Sequence, residues 1–244
     1  MSINYRGTVG IVNPTRGASW LDEFRELLPD GIGIIPSFLN IREQTESEFR
    51  GVLDETAARV TELAGLHPDL IHPIGAPVFM VHGFAGEQRI IAGWEDEHGI
   101  PMFTSGQSHV NALRALGITR FVGLSPLSPQ INEIAARYFR DAGFDVLALD
   151  AVARPEGNAN LIPWQEVYRR TKRLFLEHDG ADGIYFISSG WHILEAVLKL
   201  EQDLGVPVVH PVTARVWEIQ RRLRVREPIL GGSRLLEELP PAVA

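Results

Sequence analysis

Ser188, Ser189 and His192 follow a short apolar run, Gly183-Ile184-Tyr185-Phe186-Ile187, and precede a new helical pattern. Two hydroxyls and an imidazole at that spacing can supply a nucleophile, hydrogen-bond donors and a proton carrier. The same serines are equally good N-caps for the helix that follows. His72 and His210 each sit near the end of another apolar run. The chain contains no cysteine. Disulfides, thiolate metal sites and thiol nucleophiles are therefore excluded, and a proton carrier near neutral pH is most simply a histidine. No His-x-x-x-His spacing supports a metal site. Asn13-Pro14-Thr15-Arg16 is a polar loop after the first strand, where Arg16 can grip a carboxylate as a bidentate fork or simply stand in solvent.

The elements that must position these groups alternate strand and helix. Strands are expected at 7–13, 31–35, 70–74, 101–103, 121–124, 145–149, 183–187 and 206–209. Helices are expected at 20–28, 43–64, 88–98, 104–116, 131–141, 164–178 and 213–223. Alternation of this kind builds parallel sheets, and ligands bind where their strands end. Pro73 predicts an early end to its strand, because proline cannot donate to a ladder. The run Asp69-Leu70-Ile71 recurs 113 residues later as Asp182-Gly183-Ile184, and Gly75 is matched in this way by Ser188. An offset of 106 relates Gly99-Ile100-Pro101 to Gly205-Val206-Pro207. These matches indicate an internal duplication, with halves at 1–117 and 118–225 and a tail, 226–244, packing back on the first half.

Composition sets the remaining bounds. A net charge of −8 over 244 residues argues against a nucleic-acid partner, which needs a basic footprint. A small anionic ligand stays compatible, because a few donors in a cleft outweigh the global charge. No apolar run approaches the roughly 20 residues of a membrane span, and no signal-peptide core opens the chain. The expected location is the cytoplasm. The sequence leaves homo-oligomerisation open.

Several segments carry a family resemblance. They are Val9-Gly10-Ile11-Val12-Asn13-Pro14, Ile74-Gly75-Ala76-Pro77, the run from Ser108 to Ile118, Gly123-Leu124-Ser125-Pro126 with Asn132, Ile187-Ser188-Ser189-Gly190, and Leu204-Gly205-Val206-Pro207. In that order they resemble the aspartate/glutamate racemase superfamily, in its branch of arylmalonate decarboxylase and maleate isomerase. The resemblance implies an α/β protein of two flavodoxin-like (Rossmann-like) halves with parallel sheets, related by a pseudo-twofold. A small carboxylate would bind between them and react without a cofactor through an enolate-like intermediate. Racemases carry a cysteine in each half, at positions matched here by Gly75 and Ser188, whereas the decarboxylase keeps only the second. Here Ser188 replaces that thiol, Leu127 stands where the isomerase has a tyrosine, and Ala76-Pro77 replace hydroxyl donors. Asn132 is retained.

The expected catalytic set is Ser188, Ser189, His72, His192 and His210. The expected binding set is Asn13, Pro14, Thr15, Arg16, Gly75, Ala76, Pro77, Leu127, Asn132 and Gly190. Two-base racemisation needs an acid–base group on each face of the carbon, and Gly75 offers none. The expected activity is therefore decarboxylase- or lyase-like, with one-sided proton transfer assisted by histidine. The alternatives are a non-catalytic binder of small acids and a Ser-His hydrolase.

Overall fold

The computed structural model describes residues 3–16, 21–154, 158–188 and 190–243. Seven strands form two parallel sheets. The first has the order β2-β1-β3, from β1 (Gly7–Asn13), β2 (Ile32–Phe38) and β3 (Leu70–Pro73). The second has the order β5-β4-β6-β7, from β4 (Arg120–Ser125), β5 (Asp145–Ala151), β6 (Gly183–Phe186) and β7 (Val208–Val209). In β3 and β6 every residue is buried. Apart from His72 in β3 these strands are apolar on both faces, as expected where helices cover the two sides of a parallel sheet.

The duplication is visible in individual contacts. Ile71 N–H donates to Pro101 O at 3.0 Å, and Ile184 N–H donates to Pro207 O at 3.1 Å. Met102 N–H donates to Glu95 Oε1 at 2.6 Å, and Val208 N–H donates to Glu201 Oε1 at 3.0 Å. Asp69 accepts from Thr8 N–H at 2.7 Å, as Asp182 accepts from Thr119 and Arg120 N–H at 3.0 and 2.8 Å. In both halves, then, one carboxylate ties together the starts of two neighbouring strands.

Helices run between the strands: α1 (Asp22–Leu27), α2 (Glu46–Gly51), α3 (Leu53–Ala64), α4 (Ala76–Met80), α5 (Phe84–His98) and α6 (Ser105–Ala115) in the first part. The second part holds α7 (Pro129–Asp141), α8 (Trp164–Leu176), α9 (Leu194–Leu204), α10 (Pro211–Arg222) and α11 (Arg234–Glu238). Three departures from the sequence expectation have physical causes. The helix expected over 43–64 is divided at Val52, where Gly51 weakens the helix and the Thr56 hydroxyl bonds back to Val52 O at 2.7 Å. The strand at 101–103 shrinks to one bridge, Ile71 to Met102. Pro101 has no N–H, and that of Met102 is taken by Glu95. The short helix α4 was not expected. The strand ending at Pro73 stops as proline requires.

The tail rests on α9 and α10. Leu235 and Leu236 are buried, Arg234 N–H donates to Glu201 Oε2 at 2.8 Å, and Trp217 Nε1–H donates to Pro240 O at 3.0 Å. Glu227 also pairs with Arg6.

One buried group joins the two sheets' helices. Glu87 on α5 is fully buried and accepts from Thr104 Oγ1–H at 2.5 Å and from the Tyr138 hydroxyl on α7. Gly106 makes room for it, since a Cβ there would stand 2.6 Å from Glu87 Oε1. Burial pushes the Glu87 carboxyl up to about 7 against the ordinary 4.5, although both hydrogen bonds oppose the shift. The unfolded chain ionises this group first as pH rises, so its contribution to stability is complete below about pH 4.5 and is lost between there and about pH 7. The difference in unfolding free energy between wild type and Glu87→Gln should therefore shrink by about 3 kcal/mol across that window. Urea melts at several pH values would measure it, and a flat difference would show that Glu87 binds its proton equally well in the folded and unfolded chains.

Candidate active site

In each sheet the central strand has neighbours on both sides, and chain order reverses between β1 and β3 and again between β4 and β6. Such switch points open a crevice beyond the strand ends. Here both crevices open onto one cavity of about 270 Å³. Asn13, Pro14 and Thr15 follow β1, Gly75, Ala76 and Pro77 follow β3, Pro126 and Leu127 follow β4, and Ile187, Ser188 and Gly190 follow β6. Ser105 and His109, one turn apart on α6, complete the wall with Pro211, Arg154, Gln44 and Asn160.

The loops are held individually. Asn13 Nδ2–H donates to Thr15 O, which curls the first loop. Gly75 stands at φ +110° and its N–H donates to Ser105 Oγ at 3.3 Å. A Cβ on Gly75 would meet Val78 Cγ2 at 3.2 Å and Pro14 Cγ at 3.4 Å. Ser188 sits at φ +91°, a conformation that a serine adopts only under constraint. Asn160 holds the turn that follows: its Nδ2–H donates to Gly190 O at 2.8 Å, and its Oδ1 accepts from His192 N–H at 2.9 Å. Arg154 Nη1–H donates to Gln44 Oε1 at 2.7 Å, a contact that crosses from one part of the chain to the other at the cavity.

The cavity is thus lined by Ser188 and Gly190, and by Asn13, Pro14, Thr15, Gly75, Ala76, Pro77 and Leu127 from the expected binding set. Ser189 lies outside the described residues. Arg16 is exposed and away from the lining. Asn132 sits one layer back, accepting from Ser125 Oγ–H at 2.6 Å, while Ser125 Oγ accepts from Leu127 N–H at 3.0 Å. It shapes the Pro126–Leu127 turn. His192 is half-buried, with its ring near Glu23 and His210.

His72 and His210 are fully buried and do not line the cavity. The His72 ring stacks on Phe103 at 4.1 Å, with Nδ1 2.8 Å from Phe103 O. Its Nε2 accepts from Arg215 Nε–H at 3.2 Å, so the proton is on Nδ1. Burial lowers His72 well below the ordinary imidazole value, and Arg215 lowers it further. Burial, Arg215 and His192 hold His210 down at about 3, with the Trp191 backbone opposing.

The imidazole at the cavity wall is His109, which the sequence reading passed over. Its only sequence signal is its place one turn after Ser105 at the start of α6. His109 Nδ1 is 2.9 Å from the Tyr185 hydroxyl, and Nε2 is without a partner among the described residues. Burial, then Arg215, then His210 push it down to about 3, so the ring is neutral. Arg154 was also missed. Among the described residues, no group of three His, Asp or Glu could hold a metal ion.

Two parallel α/β sheets whose switch points share one cavity define the architecture of aspartate/glutamate racemase-like proteins. The chain belongs to the arylmalonate decarboxylase family, whose model matches residues 9–236. It is 23% identical over 222 residues to arylmalonate decarboxylase of Bordetella bronchiseptica, covering 88% of this chain and 89% of that protein. A liganded double mutant of arylmalonate decarboxylase superposes with a TM-score of 0.85 at 22% identity, over 95% of this chain and 99% of that one. Maleate cis-trans isomerase of Nocardia farcinica, with a covalently bound succinylcysteine intermediate, gives 0.85 at 19% identity, over 95% and 98%.

Two substitutions test the backbone of this site. Ser188→Gly removes the strain at φ +91° and should stabilise the protein by about 1 kcal/mol. Gly75→Ala should destabilise it by more than about 1 kcal/mol, because it adds both strain and the Val78 contact. Thermal melts read both, and the opposite signs would mean that the two loops are placed wrongly.

Proposed function

We propose that this chain is a cofactor-independent enzyme that decarboxylates a small carboxylate-bearing substrate through an enolate-like intermediate and returns a proton from one face only. One observation carries the reading. Ser188, Ser105 and His109 line the same small cavity as Gly75, which offers no group for the opposite face. One carboxylate of the substrate leaves as carbon dioxide, and the bonding pair passes into the remaining carboxylate as an enediolate. Arg154 at the cavity wall suits that retained carboxylate. In this reading Ser188 Oγ–H gives its proton to the carbon, and the alkoxide takes one back from water, whose hydroxide combines with the released carbon dioxide as bicarbonate.

His109 has a different task from the one expected of a histidine here. With its pKa near 3 it cannot carry a proton as a cation at neutral pH. The fully buried Tyr185 hydroxyl is satisfied by donating to Nδ1, which puts the proton of His109 on Nε2. A neutral N–H donor in a dry site stabilises an oxyanion without competing for its charge. A Ser-His hydrolase needs a base on the serine oxygen. Among the described residues no hydrogen bond joins Ser188 to a histidine, so that reading is weaker.

The test is turnover of arylmalonates in deuterated water, with maleate as comparison. The expected result is carbon dioxide release and one deuteron per product. Ser188→Ala and His109→Phe should each lower kcat by roughly 10²-fold or more with the fold intact. Conversion of maleate to fumarate without carbon dioxide would contradict the lyase reading, and binding without turnover of either compound would leave only an acid-binding protein.

A further inference from the structure

Arg215 occupies a position that the proposed chemistry does not use. It lies on α10, one turn after the cavity residue Pro211, and is 1% exposed. Its Nε–H is spent on His72 Nε2, and its guanidinium carbon lies 5.2 Å from the centre of the Phe24 ring. Nη1 and Nη2 are buried, with no hydrogen-bond partner among the described residues. Among the described residues no ion pair reaches it either: the carboxylate on its own helix, Glu218, is taken by Arg221 and Arg222. Close by, His210 has its ring against the Trp191 backbone, and His109 Nε2 is unpartnered among the described residues.

A guanidinium keeps its charge even when buried, and a buried charge without a counter-charge is strongly destabilising. Orphaned buried donors point to a water or an ion. Water would satisfy the N–H groups and leave the charge; an anion satisfies both. A metal cation is disfavoured, because the same guanidinium that depresses the neighbouring histidines would repel it. We propose that Arg215, with His210 beside it, holds a small internal anion, a carboxylate or a halide, behind the cavity wall formed by His109 and Pro211. This site stands apart from the proposed decarboxylation, and either can fail without the other.

The test uses the full chain, exchanged into sodium gluconate near neutral pH, with gluconate then replaced by acetate or bromide at constant ionic strength. Thermal unfolding should rise by roughly 3–5 °C for each tenfold of anion above its dissociation constant. In Arg154→Gln, which removes the cavity's own carboxylate grip, the rise should persist, and adding Arg215→Met to that variant should abolish it. A response to acetate alone identifies a carboxylate site, and a response to bromide as well identifies a general small-anion site. Should Arg215→Met not fold, bromide-soaked wild-type crystals decide the matter through an anomalous peak within hydrogen-bond distance of the Arg215 Nη atoms. No rise with either anion, a rise in Arg154→Gln that survives the addition of Arg215→Met, or a bromide map empty at Arg215 overturns the proposal.

Discussion

The structure depends on where its parallel strands are forced to stop. At a switch point the connections after two neighbouring strands leave on opposite faces of the sheet, so the backbone beyond the strand ends must be satisfied by turns, side chains or ligand. Two such points, beyond β1 and β3 and beyond β4 and β6, open onto one cavity. Every loop there carries its own tether: Asn13 to Thr15 O, Gly75 to Ser105, Leu127 to Ser125, and Gly190 and His192 to Asn160. The apolar strands make the scaffold rigid, and the loops are left to carry chemistry.

Behind that cavity lies a layer of buried polar groups. His72, His109, His210 and Arg215 are all inaccessible to solvent or nearly so. Burial first, and Arg215 after it, keeps all three imidazoles neutral, while His109 lowers His72 and His210 lowers His109. A protein without cysteine that kept the family's cavity would need other polar groups to shape the reaction. Neutral imidazoles and one confined cation are what this chain places there.

Much of the architecture was legible in the sequence. The repeated Gly-x-Pro segments pointed to a duplication, and the matching contacts Ile71–Pro101 and Ile184–Pro207 agree with it. Apolar runs ending in Gly75 and Ser188 marked the loops that meet at the cavity. Periodicity could not reveal which histidine reaches it. His72 and His210 stand at strand ends, as expected of site residues, yet their rings turn into the core. His109 lies inside α6, a turn beyond the hydroxyls that open it, where Thr104 forms a capping box with Gln107. Arg154 escaped notice because its place is set by Gln44, 110 residues away in sequence. Pairings of that range leave no local pattern to read.

The central claim is that the cavity beneath Ser188 receives the reacting carboxylate. A crystal structure with a bound arylacetate, the product of the proposed reaction, tests it most directly. The account predicts the carboxylate between Arg154 and Ser188, with an oxygen within reach of His109 and the α-carbon facing Ser188 Oγ. An arylacetate bound elsewhere on the surface, or seated with its carboxylate against Leu127 and away from Ser188, would contradict it.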